Sequence, residues 1–359
     1  MSHLNVHPRR LARVRLASAA VVILCATACG SGAATKANLQ SEAAALHAKA
    51  RQAATAFLDT RRTDAARIAA VRDVETIFEQ DQISGFVGTL RDSAQSDPIR
   101  ATALRKISPH IASQAGLIPE LSVWVQSRRT PKQLRHETLE QLHGLSFSNG
   151  MTTEGQSITG AMRALLRDPD IEFRRTAFSV LSAQGDETAQ RALLGGLRDP
   201  RTAPLPPQEA VSLLGLRLQP DYYPTLFALY RRPPNEETRI ASMRLLGGYP
   251  EARPELIRAI RNANESLQAR LAAAGTLHSS VPEQFGEAIL PVVEDEAAPD
   301  ELRVYGLRAE MLRRESRAFR AARKGPDGFD AAASRLARES HSSTVRAAAG
   351  RYVSGRRLP

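Results

Sequence analysis

The chain has 359 residues, a formal charge of +11 and two cysteines. Four arginines and no acids lie in residues 1–28, and residues 303–359 carry fourteen Lys/Arg against five Asp/Glu, which leaves residues 29–302 at net −2. Only one thiol lies beyond residue 28, which excludes an internal disulfide there, and no later segment is apolar enough to cross a bilayer.

Arg9, Arg10, Arg13 and Arg15 form a basic start, and Leu16 to Leu24 is a short apolar run ending in small residues. That order predicts a secretory signal over residues 1–28, too short to hold as a membrane span. The junction Leu24-Cys25-Ala26-Thr27-Ala28-Cys29 suits signal peptidase and resembles the lipobox of bacterial lipoproteins, with Ala26 where those carry a larger aliphatic residue. The resemblance implies acylation of Cys29, and Gly30 after it implies release to the periplasmic face of a Gram-negative outer membrane. Ordinary cleavage, giving a soluble periplasmic or secreted chain, is the alternative. Export in either form argues against nucleic acid as a partner.

Residues 29–62 read as a tether, with a flexible Gly30-Ser31-Gly32, followed by a helix. From Ala33 to about Asp59, Leu39, Ala43, Ala45, Leu46, Ala50, Ala53, Ala54, Phe57 and Leu58 recur at helical spacing. This helix is expected to cap the first hairpin of the repeats beyond it, or to hold those repeats away from the membrane.

From residue 63 to 355 a signature recurs at intervals of 31 to 43 residues. Its rungs are Arg67-Ile-Ala-Ala70, Arg100-Ala-Thr-Ala103, Arg135-His-Glu-Thr138, Arg174-Arg-Thr-Ala177, Arg239-Ile-Ala-Ser242, Arg270-Leu-Ala-Ala273, Arg303-Val-Tyr-Gly306 and Arg346-Ala-Ala-Ala349, with a degenerate Gln208-Glu-Ala-Val211. About ten residues upstream, Leu90, Leu166, Leu197, Tyr230, Ile260 and Val293 each precede a polar turn. Each repeat therefore reads as helix A, a turn, and a helix B carrying the arginine. Asp97-Pro98, Asp168-Pro169, Asp199-Pro200, Pro233-Pro234 and Pro299-Asp300 mark the turns, with proline expected in the first helical turn. Ala177, Phe178 and Leu181 share one face, as do Ser242, Met243 and Leu246, and Ala273, Ala274 and Leu277. The small residue three after each arginine is expected to let helices approach closely.

Phe173-Arg174-Arg-Thr-Ala177 and Val345-Arg346-Ala-Ala-Ala349, with the Asp-Pro turns, resemble the short form of the HEAT repeat. The resemblance implies an all-α, right-handed α-solenoid of about eight or nine HEAT-like helical hairpins. It also implies turn aspartates interlocking with helix B arginines: Asp168 or Asp170 with Arg174, and Asp295 or Asp300 with Arg303. Tetratricopeptide repeats share the period but not these turns.

The ladder arginines are read as internal rivets between hairpins, so a binding surface is sought where the ladder breaks. The unit at 208 lacks its arginine and follows Pro204, Pro206 and Pro207, so the stack is expected to bend or loosen there. Ser146 to Gly160 is expected to be an extended inter-repeat loop that could make contacts. Tyr222, Tyr223, Phe227 and Tyr230 cluster on one helix A, some of them core by spacing. Tyr222 and Tyr223 are adjacent, so at least one is expected to face outward, which points to a partner site. Arg313, Arg314, Arg317, Arg320, Arg323 and Lys324 suit an anionic envelope component. The other reading of that run is a solvated helix neutralised by Glu283, Glu287, Glu294, Asp295, Glu296, Asp300 and Glu301. Residues 356–359 form a basic tail.

His47, His110, His136, His143, His278 and His341 have no second ligand at metal spacing, and no GxSxG, P-loop, GxGxxG or HExxH motif is present. The sequence thus predicts no catalytic residue, metal or cofactor. It predicts an exported, lipid-anchored scaffold binding a protein partner in the cell envelope. The alternatives are an envelope-polyanion binder acting through the basic C-terminal repeat and a regulatory subunit of an envelope enzyme.

Overall fold

The computed structural model describes residues 33–355 except Thr76, residues 148–151 and residues 316–327. The expected signal segment of residues 1–28, Cys29 and residues 356–359 lie outside the described residues. Among the described residues there are eighteen α-helices and no strand. They alternate as nine hairpins: α1 (Ala33–Leu58) with α2 (Asp64–Ala70), α3 (Gln80–Arg91) with α4 (Asp97–Lys106), and α5 (Leu117–Gln126) with α6 (Lys132–Leu145). Next come α7 (Thr153–Leu165) with α8 (Ile171–Gln184), α9 (Glu187–Arg198) with α10 (Pro207–Leu214), and α11 (Tyr223–Arg231) with α12 (Glu236–Leu245). The last three are α13 (Arg253–Arg261) with α14 (Leu267–Ser280), α15 (Pro282–Glu294) with α16 (Asp300–Glu315), and α17 (Gly328–Glu339) with α18 (Ser343–Ser354). Every arginine rung falls on an even-numbered helix B, and the degenerate rung falls on the short α10.

Contacts divide the chain into two compact units, residues 1–161 and 162–359, at a point inside α7. In the first unit α1 packs on α2 and α3, and the B helices pack in series, α2 on α4 and α4 on α6. In the second unit α8, α10, α12, α14, α16 and α18 form the corresponding series. Each unit is by itself an α-solenoid. Side chains cap several of the B helices. Thr63, Asp170, Asn235, Ser266 and Ser342 each accept a first-turn N–H that has no helical partner. Prolines do less of this work than their spacing suggests. Pro98 sits in the first turn of α4, but Pro169, Pro233 and Pro234 lie in the turn before the cap, and Pro200 opens a separate 3-10 turn. The expected apolar faces are buried, from Ala177, Phe178 and Leu181 through Met243 and Leu246 to Ala273, Ala274 and Leu277.

The ladder arginines hold their own hairpin shut more than they join neighbours. Nε of Arg67 donates to the Phe57 carbonyl at 2.7 Å, Arg100 to Leu90 at 2.9 Å, Arg135 to Val125 at 2.7 Å, Arg270 to Ile260 at 2.9 Å and Arg303 to Val293 at 3.1 Å. In each case the acceptor lies ten residues back, near the end of helix A, where carbonyls lack intrahelical partners and carry the negative end of the helix dipole. Three rungs differ. Arg174 takes the Asp168 carbonyl at 2.6 Å, not a carboxylate, and reaches the next hairpin at the Pro204 carbonyl, 2.9 Å. Arg239 pairs in bidentate fashion with Glu265 of the next hairpin, and Arg346 takes carbonyls of its own turn. Arg303 is paired not with Asp295 but with Glu296 at 2.6 Å, and with Asp300 at a looser 3.6 Å.

Neighbouring hairpins are joined by a second set of ties roughly one repeat apart: Arg91 to Glu120, Arg105 to Glu137, Arg175 to Glu209, Arg231 to Glu255 and Arg335 to Glu294. Of the acidic stretch, Glu294, Glu296 and Asp300 are paired with arginines of the fold itself. The hydrogen bond from Arg303 holds the Glu296 carboxyl at about 2, from an ordinary 4.5. Its stabilisation is fully present above the unfolded value and is lost as pH falls toward the folded one. Acid unfolding is therefore expected to steepen between 4.5 and about 2. A Glu296→Gln variant, followed by circular dichroism, should lose that steepening, and an unchanged acid profile would contradict the assignment.

Two further expectations need correction. Ser146 to Gly160 is not one extended loop: α7 begins at Thr153, so the irregular part ends earlier. The leading helix is itself helix A of the first hairpin, not a cap upon it, and it packs only through its C-terminal end. Ala50, Ala53, Ala54 and Phe57 are buried, and Phe57 stacks on Phe86 at 4.5 Å, whereas residues 40–49 are all exposed. Among the described residues no helix is long and apolar enough to cross a membrane.

Candidate partner surface

Tyr223, Phe227 and Tyr230 fall at i, i+4 and i+7 on α11, so their rings rise along one side of that helix. Tyr249 comes in from the irregular stretch between α12 and α13. Its ring stacks on Tyr223 at 5.3 Å and meets Phe227 edge-on at 5.5 Å, and Phe227 continues to Tyr230 at 6.2 Å. Tyr223, Phe227 and Tyr249 remain half-buried, so the ledge presents aromatic surface on a supported base. Gly248 is part of that support. A Cβ built there would lie 2.3 Å from the Tyr223 hydroxyl, so the ring can lie across the backbone only because no side chain is present. Tyr222 belongs elsewhere. It is 2 % exposed, turned into the core from a 3-10 turn, and is therefore withdrawn as a partner contact, leaving Tyr223 as the outward member of the pair.

Two arginines extend the ledge. Arg231 lies over the Phe227 ring at 5.2 Å and pairs with Glu255 at 3.2 Å; Arg239 lies over the Tyr230 ring at 5.3 Å. The hydrogen bond from Arg239 pulls the Glu265 carboxyl below its usual range, and burial raises the Tyr230 hydroxyl. Beside them opens a cleft of 570 Å³ lined by these groups together with Pro233, Glu236, Arg258 and Asn262. Arg258 is exposed at its rim, and Arg253 opens α13 with a buried Nε that has no partner among the described residues. The combination suits protein recognition: rigid aromatic rings bury a large area with little entropy loss, and arginine and tyrosine are enriched at contact hot spots. The adjacent Tyr222-Tyr223 pair signalled this ledge in the sequence. The contribution of Tyr249, twenty-two residues beyond Phe227, carried no signal there, because only the hairpin brings the two together.

The other candidates fare differently. Arg313 is engaged inward, bonding at 2.8 and 2.9 Å to Glu310, which is fully buried. Its charge serves to neutralise that carboxylate, so it is withdrawn as a contact residue. Arg314 lies near the end of α16, while Arg317, Arg320, Arg323 and Lys324 lie outside the described residues. Of the histidines, His47 stacks on Phe78 at 4.3 Å, and His110 Nε2 is 2.6 Å from the Ile77 carbonyl. Burial depresses the His278 imidazole, which bonds the Ala309 backbone. Among the described residues no three His, Cys, Asp or Glu side chains converge as metal ligands would.

No family model matches the chain, and no curated protein matches it. Solved structures do. The Kap95:Nup1 complex matches over 92 % of this chain with a TM-score of 0.52 at 12 % identity. The CpcE–CpcF complex of phycocyanin lyase from Nostoc sp. matches over 76 % of this chain and 93 % of its own, with a TM-score of 0.35 at 16 % identity. This chain spans 49 % of the Kap95:Nup1 chain it matches. The Kap95 fold is a helical repeat, and the nine hairpins of the described residues are of that kind: the chain is an all-α helical-repeat protein.

Proposed function

We propose that this protein is a rigid, non-catalytic scaffold that binds a protein partner on the aromatic ledge of Tyr223, Phe227 and Tyr249. The observation that carries this reading is the ledge itself: three half-buried rings fixed against one another across Gly248 and flanked by Arg231. Preorganised rings lose little freedom on binding, which favours affinity. The matched Kap95:Nup1 structure is itself a complex of two proteins, which is compatible with such a role. In this proposal the chain is exported and held in the envelope by an acyl group on Cys29, and the hairpins keep the ledge in a fixed geometry.

The test is affinity isolation of the exported protein, followed by titration of the recovered partner. Replacing Tyr223, Phe227 and Tyr249 singly by Ala is expected to weaken binding by about 1–2 kcal/mol each, roughly 5- to 30-fold. Trp124→Ala, a half-buried aromatic in the first unit, should leave binding unchanged. If the folded triple variant retains its partner at wild-type affinity, the ledge is not the site. Palmitate labelling of wild type against Cys29→Ser tests the anchor separately, and an unlabelled wild type removes it.

A further inference from the structure

We propose that the projecting half of α1 is a self-association element that pairs, antiparallel, with α1 of a second copy of this chain. Leu39, Ala43, Leu46, Ala50, Ala53 and Phe57 alternate at spacings of four and three, the seam of a coiled coil. The structure divides that seam in two. Ala50, Ala53 and Phe57 are buried on the chain's own hairpins, whereas Ala43 and Leu46 on the same stripe are exposed, Leu46 at 55 %. An established packing face therefore continues without a break into residues that none of the described residues covers. The helix is 26 residues, about 39 Å, and residues 40–46 lie exposed beyond the contact that His47 makes with Phe78.

Charge selects the occupant and its direction. Glu42 and Lys49 flank Ala43 and Leu46 on one side of the seam, both are exposed, and among the described residues neither has an ion-pair partner. On the other flank His47 is already stacked on Phe78. An antiparallel two-fold places Ala43 of each copy against Leu46 of the other, small against large, in both layers. The same operation brings Glu42 of each copy to Lys49 of the other, twice. A parallel pair would instead set Glu42 against His47 and Lys49 against Ala54, leaving the lysine unmatched. A seam this short buries less than the roughly 1,600 Å² of a standard interface. Dissociation is therefore expected at about 10⁻⁵ to 10⁻⁴ M.

Sedimentation equilibrium of the full chain decides the matter. Wild type should dimerise in that range, and Leu46→Glu, at an exposed position, should raise the dissociation constant by at least about tenfold without changing the thermal midpoint. Glu42→Lys and Lys49→Glu alone should each weaken the dimer about three- to tenfold, because one reversal turns both symmetric pairs repulsive. Together they should restore it to within about threefold of wild type. A chain that stays monomeric at about 1 mM overturns the proposal. So does a dimer indifferent to Leu46→Glu, or a double variant no tighter than the singles.

Discussion

Arg303→Ala is expected to lower unfolding free energy by about 3–5 kcal/mol, the largest loss for any rung of the ladder. Arg303 is the largest fully buried side chain of the described residues. Its guanidinium serves the Val293 carbonyl at 3.1 Å and Glu296 at 2.6 Å, and sits 3.5 Å from the Ser340 hydroxyl in the following hairpin. Truncation leaves the carbonyl at the end of α15 without a donor, at about 1–3 kcal/mol, and opens a cavity that packed helices fill only in part. Arg303→Lys should recover little, since an ammonium lacks the planar fork that spans these acceptors. Arg239 should be far less sensitive: it is partly exposed and tied mainly to the Glu265 carboxylate, which water can solvate once released. Urea unfolding of the three variants gives the order, and hydrogen exchange should show protection lost first in α15 to α18, because a repeat stack fails at its weakened interface. A loss below about 1 kcal/mol for Arg303→Ala would mean that the rung is not a structural tie.

Gly306→Val is expected to cost about 3 kcal/mol or more, by overpacking and not by loss of a bond. A Cβ at 306 would stand 2.6 Å from Val293 Cγ2 and 2.8 Å from Ile289 Cγ1, both on the fully buried face of α15. Neither atom can withdraw without disturbing the core, so even Gly306→Ala should cost about 1–3 kcal/mol. Combining it with Val293→Ala should return part of that loss, since the two residues meet directly. Gly88→Ala gives the opposite sign. Nothing lies within 4 Å of a Cβ on that helical glycine, so removing backbone freedom should stabilise by about 0.5–1 kcal/mol. Equal effects at 88 and 306 would show that helix propensity, not close approach, governs the glycine at the third position after the arginine.

The repeat unit was legible because arginine, small residue and turn recur on one chain at fixed spacing, and every B helix lies where its rung falls. At Gly306 the small residue three after the arginine is a point of close approach, against Val293 and Ile289 of α15. What the spacing could not reveal was the acceptor. An arginine ten residues after a helix end can cap that helix or reach a neighbour, and only packing decides, so the expected bridges from Arg174 and Arg303 to turn aspartates were partly misassigned. Tyr222 and Tyr223 show the same limit: adjacency requires that they diverge, but which one turns inward depends on the 3-10 turn at Pro220. The glycines of 150 to 160 suggested a loop, yet from Thr153 the apolar Ile158, Ala161, Met162 and Leu165 supply a buried helical stripe that outweighs two glycines. Arg313 looked like part of a solvated basic run, because nothing in its neighbourhood announces that Glu310 is buried.

The arginine ties within hairpins share a property with consequences for how this protein can change. Their acceptor is main-chain oxygen, supplied in turn by Phe57, Leu90, Val125, Ile260 and Val293. No substitution at those positions removes the oxygen, so the residue carrying it answers only to packing and can drift among apolar types without undoing the tie. Each closure thus depends on a single side chain, the arginine. A chain built this way can diverge in most of its surface while its architecture persists, and new contact surfaces can arise on it without renegotiating the fold.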